Sequence, residues 1–137
     1  MKLLSIDPGE SIGWALFEDA KLADCGIEKY DTRSVWPKHF DLLSTSDVVV
    51  YERYFISRVM QDTTTAEVIG ALKYMCSLYH IPIIVQEPTV LHFIKSRFFL
   101  GKKLKYGSHK LSAISHGMYF LHTRGYDVSN IVKEVIK

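Results

Sequence analysis

Residues 1–14 read MKLLSIDPGESIGW, and this stretch decides the fold. An apolar run ends at an acid, Asp7, and the chain then turns at once on Pro8-Gly9. We therefore predict a buried strand with Asp7 at its end. Open α/β sheets bind ligands where their strands end, and a carboxylate there is a suitable ligand for a divalent cation. Asp-Pro-Gly is also the composition of an ordinary turn, so the cation site depends on the rest of the chain.

Size and composition predict one globular domain, spanning residues 1–137. The 137 residues suit a single hydrophobic core, and 47% apolar with 23% charged residues is a typical balance for a soluble protein. No apolar run approaches a membrane span, and the N-terminus has the pattern of a strand rather than of a secretion signal. Cys25 and Cys76 lack the spacing of a metal site. We expect reduced thiols and an intracellular, cytoplasmic protein.

The charge is divided unevenly along the chain. Residues 1–52 carry five Lys and Arg against ten Asp and Glu, whereas residues 53–137 carry twelve against five. No carboxylate occurs from residue 88 to residue 126. Such a division favours a nuclease, in which carboxylates hold metal and cations hold phosphates, over an ordinary solvated surface. The cations that we assign to DNA contact are Lys95, Arg97, Lys102, Lys103, Lys105 and Lys110.

The hydrophobic pattern predicts a mixed sheet. Three strands joined by tight turns form an antiparallel meander over residues 2–6, 13–17 and 22–30. Two further apolar runs, 47–51 and 81–85, are typical of buried parallel strands. A meander followed by strand–helix–strand crossovers predicts an α/β fold with helices on both faces.

Four helices are predicted from apolar residues at three- and four-residue spacing, over 34–45, 63–80, 89–99 and 108–123. A short basic loop at 101–107 separates the last two. The side chains expected to point inward are Trp36, Phe40 and Leu43, then Ala66, Ile69, Leu72, Met75, Cys76 and Tyr79, then Val90, Phe93 and Ile94, and finally Leu111, Ile114, Met118 and Leu121.

A second predicted strand also ends at an acid, because Glu52 follows the run Val-Val-Val-Tyr at 48–51. If the strands of Asp7 and Glu52 are neighbours, strand spacing brings the two carboxylates within reach of one ion. Oxygen ligands favour Mg²⁺ or Mn²⁺ over zinc. The chemistry that needs such a pair is phosphodiester hydrolysis, commonly with two ions about 3.5–4 Å apart.

Four motifs in order resemble one known family. They are Ser-Ile-Asp-Pro-Gly at 5–9 with Gly-Trp-Ala at 13–15, Val-Val-Val-Tyr-Glu-Arg-Tyr-Phe at 48–55, Ala-Glu-Val-Ile-Gly-Ala-Leu at 66–72, and Ile-Pro at 81–82 followed by Glu-Pro-Thr-Val at 87–90. Together they are similar to the RuvC-type Holliday junction resolvases of the ribonuclease H-like superfamily, over nearly the whole chain. The compact stretch between residues 91 and 109 is more like the phage-encoded members.

The resemblance implies a metal-dependent, structure-selective DNA endonuclease that resolves four-way junctions by paired nicks. It implies a homodimer with branched DNA as its partner, Mg²⁺ or Mn²⁺ as its cofactor, and no small-molecule cofactor. Asp7 and Glu52 would hold the metal. Phe55, three residues after Glu52, would stack on bases at the junction centre, although it could instead be a core aromatic, and Arg53 and Tyr54 are the next candidates. The long helix would carry Tyr74 and Leu78 on a dimer face, unless it simply packs on the sheet.

The last helix departs from the family pattern, which is Asp or His, two residues, then Asp-Ala. His109 fits the first position and would bind metal or transfer a proton, but Ser112 stands where an Asp is expected. A serine hydroxyl is a weak neutral ligand. His116 lies one turn beyond Ser112, and we leave it outside the predicted ligand set.

Three alternatives follow from Ser112. In the first, Asp7, Glu52 and His109 form a weakened but working site, with Ser112 or water as a further ligand. In the second, Glu87 completes the site. In the third, the chain binds branched DNA without cutting it. A ribonuclease acting on RNA–DNA hybrids shares the fold and is a fourth alternative. An ATP-handling domain of the actin type would need a second glycine-rich loop, which the sequence lacks.

Overall fold

The structure is a computed structural model that describes residues 1–30, 41–55 and 63–137. In chain order the elements are β1 (Lys2–Asp7), β2 (Ser11–Glu18), β3 (Lys21–Lys29), α1 (Asp41–Ser44), β4 (Val48–Glu52), α2 (Thr63–Leu78), β5 (Ile83–Gln86), α3 (Thr89–Phe98), α4 (Ser108–Thr123) and α5 (Ser129–Val135).

The five strands form one mixed sheet in the order β3-β2-β1-β4-β5. β1, β2 and β3 make the predicted antiparallel meander, and its second turn is closed by Asp19 and Ala20, both at positive φ. β4 lies parallel to β1 on the other side, and β5 lies parallel to β4. The α/β fold class is therefore confirmed, and the sheet places the C-terminal ends of β1, β4 and β5 along one edge.

Helices cover both faces of the sheet, because alternate residues of each strand point to opposite sides. On β1, Leu3 contributes to the core under α3, α4 and α5, whereas Leu4 and Ile6 contribute to the core under α1 and α2. All three are at most 1% exposed, and burying one such side chain contributes about 1.5–3 kcal/mol. Asp7 continues the alternation from Leu3 and therefore faces α4.

Helix α4 packs close to the sheet because a glycine lies at two of their contacts, Gly13 on β2 and Gly117 on α4 itself. Gly13 pairs with Asp7 across β1 and β2, and a Cβ on Gly13 would collide with the backbone carbonyl of His109. Farther along the helix, a Cβ on Gly117 would collide with the ring of Phe17. The first of these contacts brings the start of α4 directly against the end of β1.

Three predictions about the helices need correction. Tyr79 is 49% exposed because α2 ends at Leu78 and the chain then turns, with His80 at positive φ. Phe93 is 41% exposed because Val90 and Ile94 fill the core side of α3, and its ring packs edge-on against Tyr119. The seven-residue helix α5 was not predicted.

Other helix predictions hold where they can be compared. α4 has the predicted bounds, and Leu111, Ile114, Met118 and Leu121 are all buried. The predicted helix over 34–45 is described only from residue 41; Leu43 is buried, and Trp36 and Phe40 lie outside the described residues. Within the part of the chain that is described, no helix is both long and apolar enough to cross a membrane.

Candidate active site

Three parallel strands end on polar side chains at the same edge of the sheet. Asp7 is the last residue of β1, Glu52 of β4 and Gln86 of β5. Ile6 is in register with Tyr51, so Asp7 and Glu52 follow side by side, and Glu52 is itself in register with Gln86. The predicted juxtaposition of the two acidic strands is confirmed.

Helix α4 brings two histidines to these strand ends. His109 Nδ1 lies 3.3 Å from Asp7 Oδ2. Seven residues later, and therefore on the same helix face, His116 Nε2 lies 3.5 Å from Glu52 Oε1. His116 Nδ1 lies 2.8 Å from Gln86 Oε1, a good hydrogen-bond distance. Each carboxylate thus has an imidazole beside it.

The two pairs differ in exposure. The side chains of Asp7 and His109 are 16% and 48% exposed, so this pair is open to solvent on the histidine side. Glu52 is 21% exposed, but His116 is completely buried. The Asp7 end of this cluster is therefore open to solvent on the side of His109, whereas His116 lies inside the protein.

The electrostatics of the two acids are opposite in direction. Burial, followed by the negative charge of Glu52, raises the pKa of Asp7 from 3.8 to about 6, against the lowering effect of His109. Contact with His116 outweighs burial and lowers the pKa of Glu52. Asp7 and Glu52 are partly buried, and their negative charges repel each other. A cation bound by both would therefore stabilise their ionised forms.

Two donors at this edge of the sheet, the carboxylates of Asp7 and Glu52, fit a hard divalent cation. Mg²⁺ is commonly held by one or two carboxylates, with water and substrate phosphates completing its coordination, and Asp7 with Glu52 supplies that pair. Across residues 1–30, 41–55 and 63–137, no three His, Cys, Asp or Glu side chains converge closely enough to form a complete metal cluster. A cation here would depend on donors beyond the two acids.

Ser112 is buried between the two histidines. It lies three residues after His109 and four before His116, and it is 4% exposed. The position where the family pattern has an acid is therefore an interior position facing the sheet, filled here by a neutral hydroxyl. The carboxylate of Glu87 lies 3.1 Å from Arg53 Nε, next to Glu52 in the chain.

A second group of predicted residues forms a surface beside Glu52. Phe55 is 57% exposed, so the alternative that it is a core aromatic is wrong. The guanidinium of Arg53 lies 5.7 Å from the centre of the Phe55 ring. Arg53, Tyr54 and Phe55 line an open cavity of about 340 Å³, whose other walls are Tyr51, Ile69, Lys73 and Val85.

The basic segment between α3 and α4 is held against the C-terminal end of the chain. Lys105 N donates to Val135 O, and Lys137 N donates to Lys103 O, each at 2.9 Å; a single β-bridge joins Leu104 to Ile136. The exposed cations are Lys95, Arg97, Lys102, Lys103 and Lys105, and Lys110 is half-buried with its ammonium 5.9 Å from the Tyr106 ring. Because α4 begins at Ser108, this segment leads directly into the site.

The sequence matches no protein-family model, and it matches no curated protein. Solved structures do match. Thermus thermophilus RuvC in complex with a Holliday junction substrate aligns with a TM-score of 0.62 and 14% identity, over 91% of this chain and 96% of that one. A second Thermus thermophilus RuvC structure aligns with a TM-score of 0.59 and 13% identity, over 91% and 97%.

This chain has the fold of RuvC. The resemblance predicted from the four sequence motifs is thus confirmed at the level of the fold, and it extends over nearly the whole length of both chains. Because the sequence identity is only 13–14%, the similarity to RuvC establishes the fold and nothing further.

Sequence reasoning missed three residues of the site. His116 was set aside, although its seven-residue spacing from His109 puts both on one helix face. Gln86 was not predicted because its side chain is neutral, whereas an acid at a strand end is the usual sign of a cation site. Gly13 was noted as part of a motif, but its role in admitting the His109 backbone was not predicted.

Proposed function

We propose that this protein is a metal-dependent, structure-selective DNA endonuclease that resolves four-way junctions by paired nicks. The observation that carries the proposal is the pair Asp7 and Glu52, side by side at the ends of β1 and β4. The fold supports it, because the RuvC structure that this chain resembles is a complex with a Holliday junction substrate.

In this proposal Asp7 and Glu52 hold Mg²⁺ or Mn²⁺. The cation, when bound, would polarise the scissile phosphate and lower the pKa of an attacking water. Below about pH 6 a proton occupies Asp7 and competes with the cation. His109, half exposed beside Asp7, is placed either to ligate a second ion or to give a proton to the departing oxygen.

The surface beside Glu52 is proposed to open the junction. An exposed aromatic ring can stack on an unpaired base of any sequence, which suits Phe55. Arg53 and Tyr54 line the same cavity. The cations from Lys95 to Lys110 would contact phosphates, which positions the DNA but reads little sequence.

We also propose a homodimer. A two-fold dimer presents two identical active sites and matches the symmetry of a four-way junction. Tyr74 and Leu78 on α2 are 65% and 54% exposed, as expected for a dimer face that the single chain leaves open. The proposed setting is the bacterial cytoplasm, including that of a phage-infected cell.

A second candidate function is binding of branched DNA without cleavage. The observation in its favour is the buried, neutral Ser112, because the loss of a carboxylate weakens the binding of hard divalent ions. This candidate predicts junction affinity that falls steeply with salt and no nicking in any divalent metal.

Nicking of a labelled four-way junction in Mg²⁺ or Mn²⁺ tests both candidates. The unaltered chain is compared with Asp7→Asn and Ser112→Asp, and an RNA–DNA hybrid of matched length serves as the second substrate. Nicking by the unaltered chain but not by Asp7→Asn supports the proposed nuclease. Nicking by Ser112→Asp alone, or junction binding without nicking, supports the non-catalytic binder. Preferential cleavage of the hybrid would replace the junction with RNA–DNA as substrate.

A further inference from the structure

His116 is a buried histidine with an unused nitrogen. Its side chain is 0% exposed, and Nε2 has no hydrogen-bond partner among residues 1–30, 41–55 and 63–137. A buried polar atom without a partner lowers stability, so native proteins rarely keep one without a use. The atom faces the carboxylate of Glu52, whose Oε1 is 3.5 Å away.

The other nitrogen of His116 is held in place. Nδ1 lies 2.8 Å from Gln86 Oε1, and a carbonyl oxygen accepts the N–H of that nitrogen. In a neutral imidazole this leaves Nε2 with a bare lone pair. A metal-bound histidine is held in the same way, since its second ring nitrogen almost always donates to an oxygen acceptor that fixes the tautomer.

The separation from Glu52 suits a shared ion better than a hydrogen bond. The 3.5 Å between Nε2 and Oε1 exceeds the usual 2.7–3.2 Å of an N–H···O bond. Two ligand atoms that each lie about 2.0–2.2 Å from one ion can be up to about 4.4 Å apart. Without an ion, only a hydrogen on Nε2 can hold this pair together, in keeping with the lowered pKa of Glu52, and a bound ion would take the place of that hydrogen.

We propose that His116 Nε2 is a ligand of the cation held by Glu52, and that it replaces the carboxylate missing at Ser112. Gln86 is the positioning residue that orients the imidazole. This inference rests on the cation site of the proposed function. Imidazole is a ligand of transition ions rather than of Mg²⁺, and the carboxylate of Glu52 suits Mn²⁺, so the site is expected to prefer Mn²⁺ to Mg²⁺.

The test measures Mn²⁺ binding to the full chain without DNA, by calorimetry and by electron spin echo spectroscopy. His116→Leu, which keeps an apolar side chain of similar size in the core, is expected to lose at least about tenfold in Mn²⁺ affinity. The ¹⁴N modulation from a coordinated imidazole is expected to weaken with it. His122→Leu is the matched control on the same helix, since His122 packs on Phe98, and its affinity and modulation are expected to stay unchanged.

Two further variants keep the inference testable if His116→Leu fails to fold. Gln86→Leu leaves the imidazole present but unanchored, and a loss of about tenfold in Mn²⁺ affinity is expected. Ser112→Asp in the His116→Leu background is expected to restore Mn²⁺ affinity but not the part of the ¹⁴N modulation lost with His116. Thermal melting of every variant identifies those that are folded.

Asp7→Asn separates this inference from the proposed function. If Asp7→Asn loses Mn²⁺ affinity while folded His116→Leu and Gln86→Leu bind as tightly as the unaltered chain, the cation site stands and the role of His116 is overturned. If the unaltered chain does not bind Mn²⁺, or if Asp7→Asn binds Mn²⁺ as tightly as the unaltered chain does, the cation site itself is overturned.

Discussion

The two carboxylate–imidazole pairs at the end of the sheet have nearly the same geometry but opposite surroundings. Asp7 and His109 lie 3.3 Å apart, and Glu52 and His116 lie 3.5 Å apart. His109 is half exposed, whereas His116 is buried and held by Gln86. The same two residue types therefore make an open pair that substrate can reach and a closed pair that the core supports.

The comparison also shows how burial of the histidine changes the acid. The buried His116 acts on Glu52 strongly enough to lower its pKa despite burial. The exposed His109 only partly offsets burial and the charge of Glu52, so the pKa of Asp7 rises to about 6. Glu52 is thus ionised throughout the neutral range, and Asp7 is the acid that responds to pH.

The largest expected effect is the loss of Glu52, the acid of the closed pair. Glu52→Gln removes a charge proposed to hold the cation and is expected to lower junction nicking by up to about 10³-fold, as the loss of one electrostatic group in an active site does. Glu18→Gln is the matched control, because Glu18 ends β2 as Glu52 ends β4, and it is expected to nick normally. Equal nicking by both variants would show that Glu52 takes no part in cleavage.

Gly13 tests the open pair without touching either of its side chains. Gly13→Ala pushes a Cβ into the His109 carbonyl and displaces the start of α4 from Asp7. A misplacement of about 1 Å can cost about 10²-fold in rate, which single-turnover nicking would detect. Gly107→Ala is the control, since its Cβ meets open space just before the same helix. Parallel losses in both variants would show that general loosening, rather than the His109 contact, is responsible.

A smaller effect is expected at the surface beside the closed pair. Phe55→Ala is expected to weaken junction binding by about 1–3 kcal/mol, the contribution of one aromatic–base stack, with little change in Tm because the ring is exposed. Tyr126→Ala removes an exposed aromatic that the proposal assigns to neither the junction nor the dimer face, and it is expected to leave the affinity for the junction unchanged. An unchanged affinity for Phe55→Ala, measured by titration of a fluorescent junction, would exclude stacking.

The smallest effect is on the stability of the metal-free protein. Because folding raises the pKa of Asp7 from 3.8 to about 6, ionising Asp7 costs stability as pH rises through that interval, and the cost is complete above it. Asp7→Asn removes the cost. We expect its Tm to exceed that of the unaltered chain by about 3 °C or more near pH 8 and to match it near pH 4. A difference that does not change with pH would contradict the raised pKa.

The sequence predicts the open pair much better than the closed one. Asp7, Glu52 and His109 each lie in a motif or at the end of an apolar run, so local pattern is sufficient to find them. The pairing of His116 with Glu52 and Gln86 depends on how α4 crosses the sheet, and that crossing is determined by contacts at Gly13 and Gly117 that no periodicity reveals.

The same limit explains the errors in the fold. The antiparallel meander and the bounds of α4 follow from local sequence patterns and were predicted correctly. The outward position of Phe93 was missed because apolar spacing alone does not show that Tyr119 lies beside α3 and contacts its ring. The seven residues of α5 are too few for a periodic signal.

One measurement tests the central claim that Asp7 and Glu52 form a cation site for cutting DNA. A four-way junction labelled on opposing strands is incubated with the unaltered chain in Mn²⁺ and in EDTA, with Asp7→Asn beside it. The account predicts nicks on both opposing strands in Mn²⁺, none in EDTA, and none with folded Asp7→Asn. Nicking by Asp7→Asn at the rate of the unaltered chain, or no nicking by the unaltered chain in any divalent metal, would contradict it.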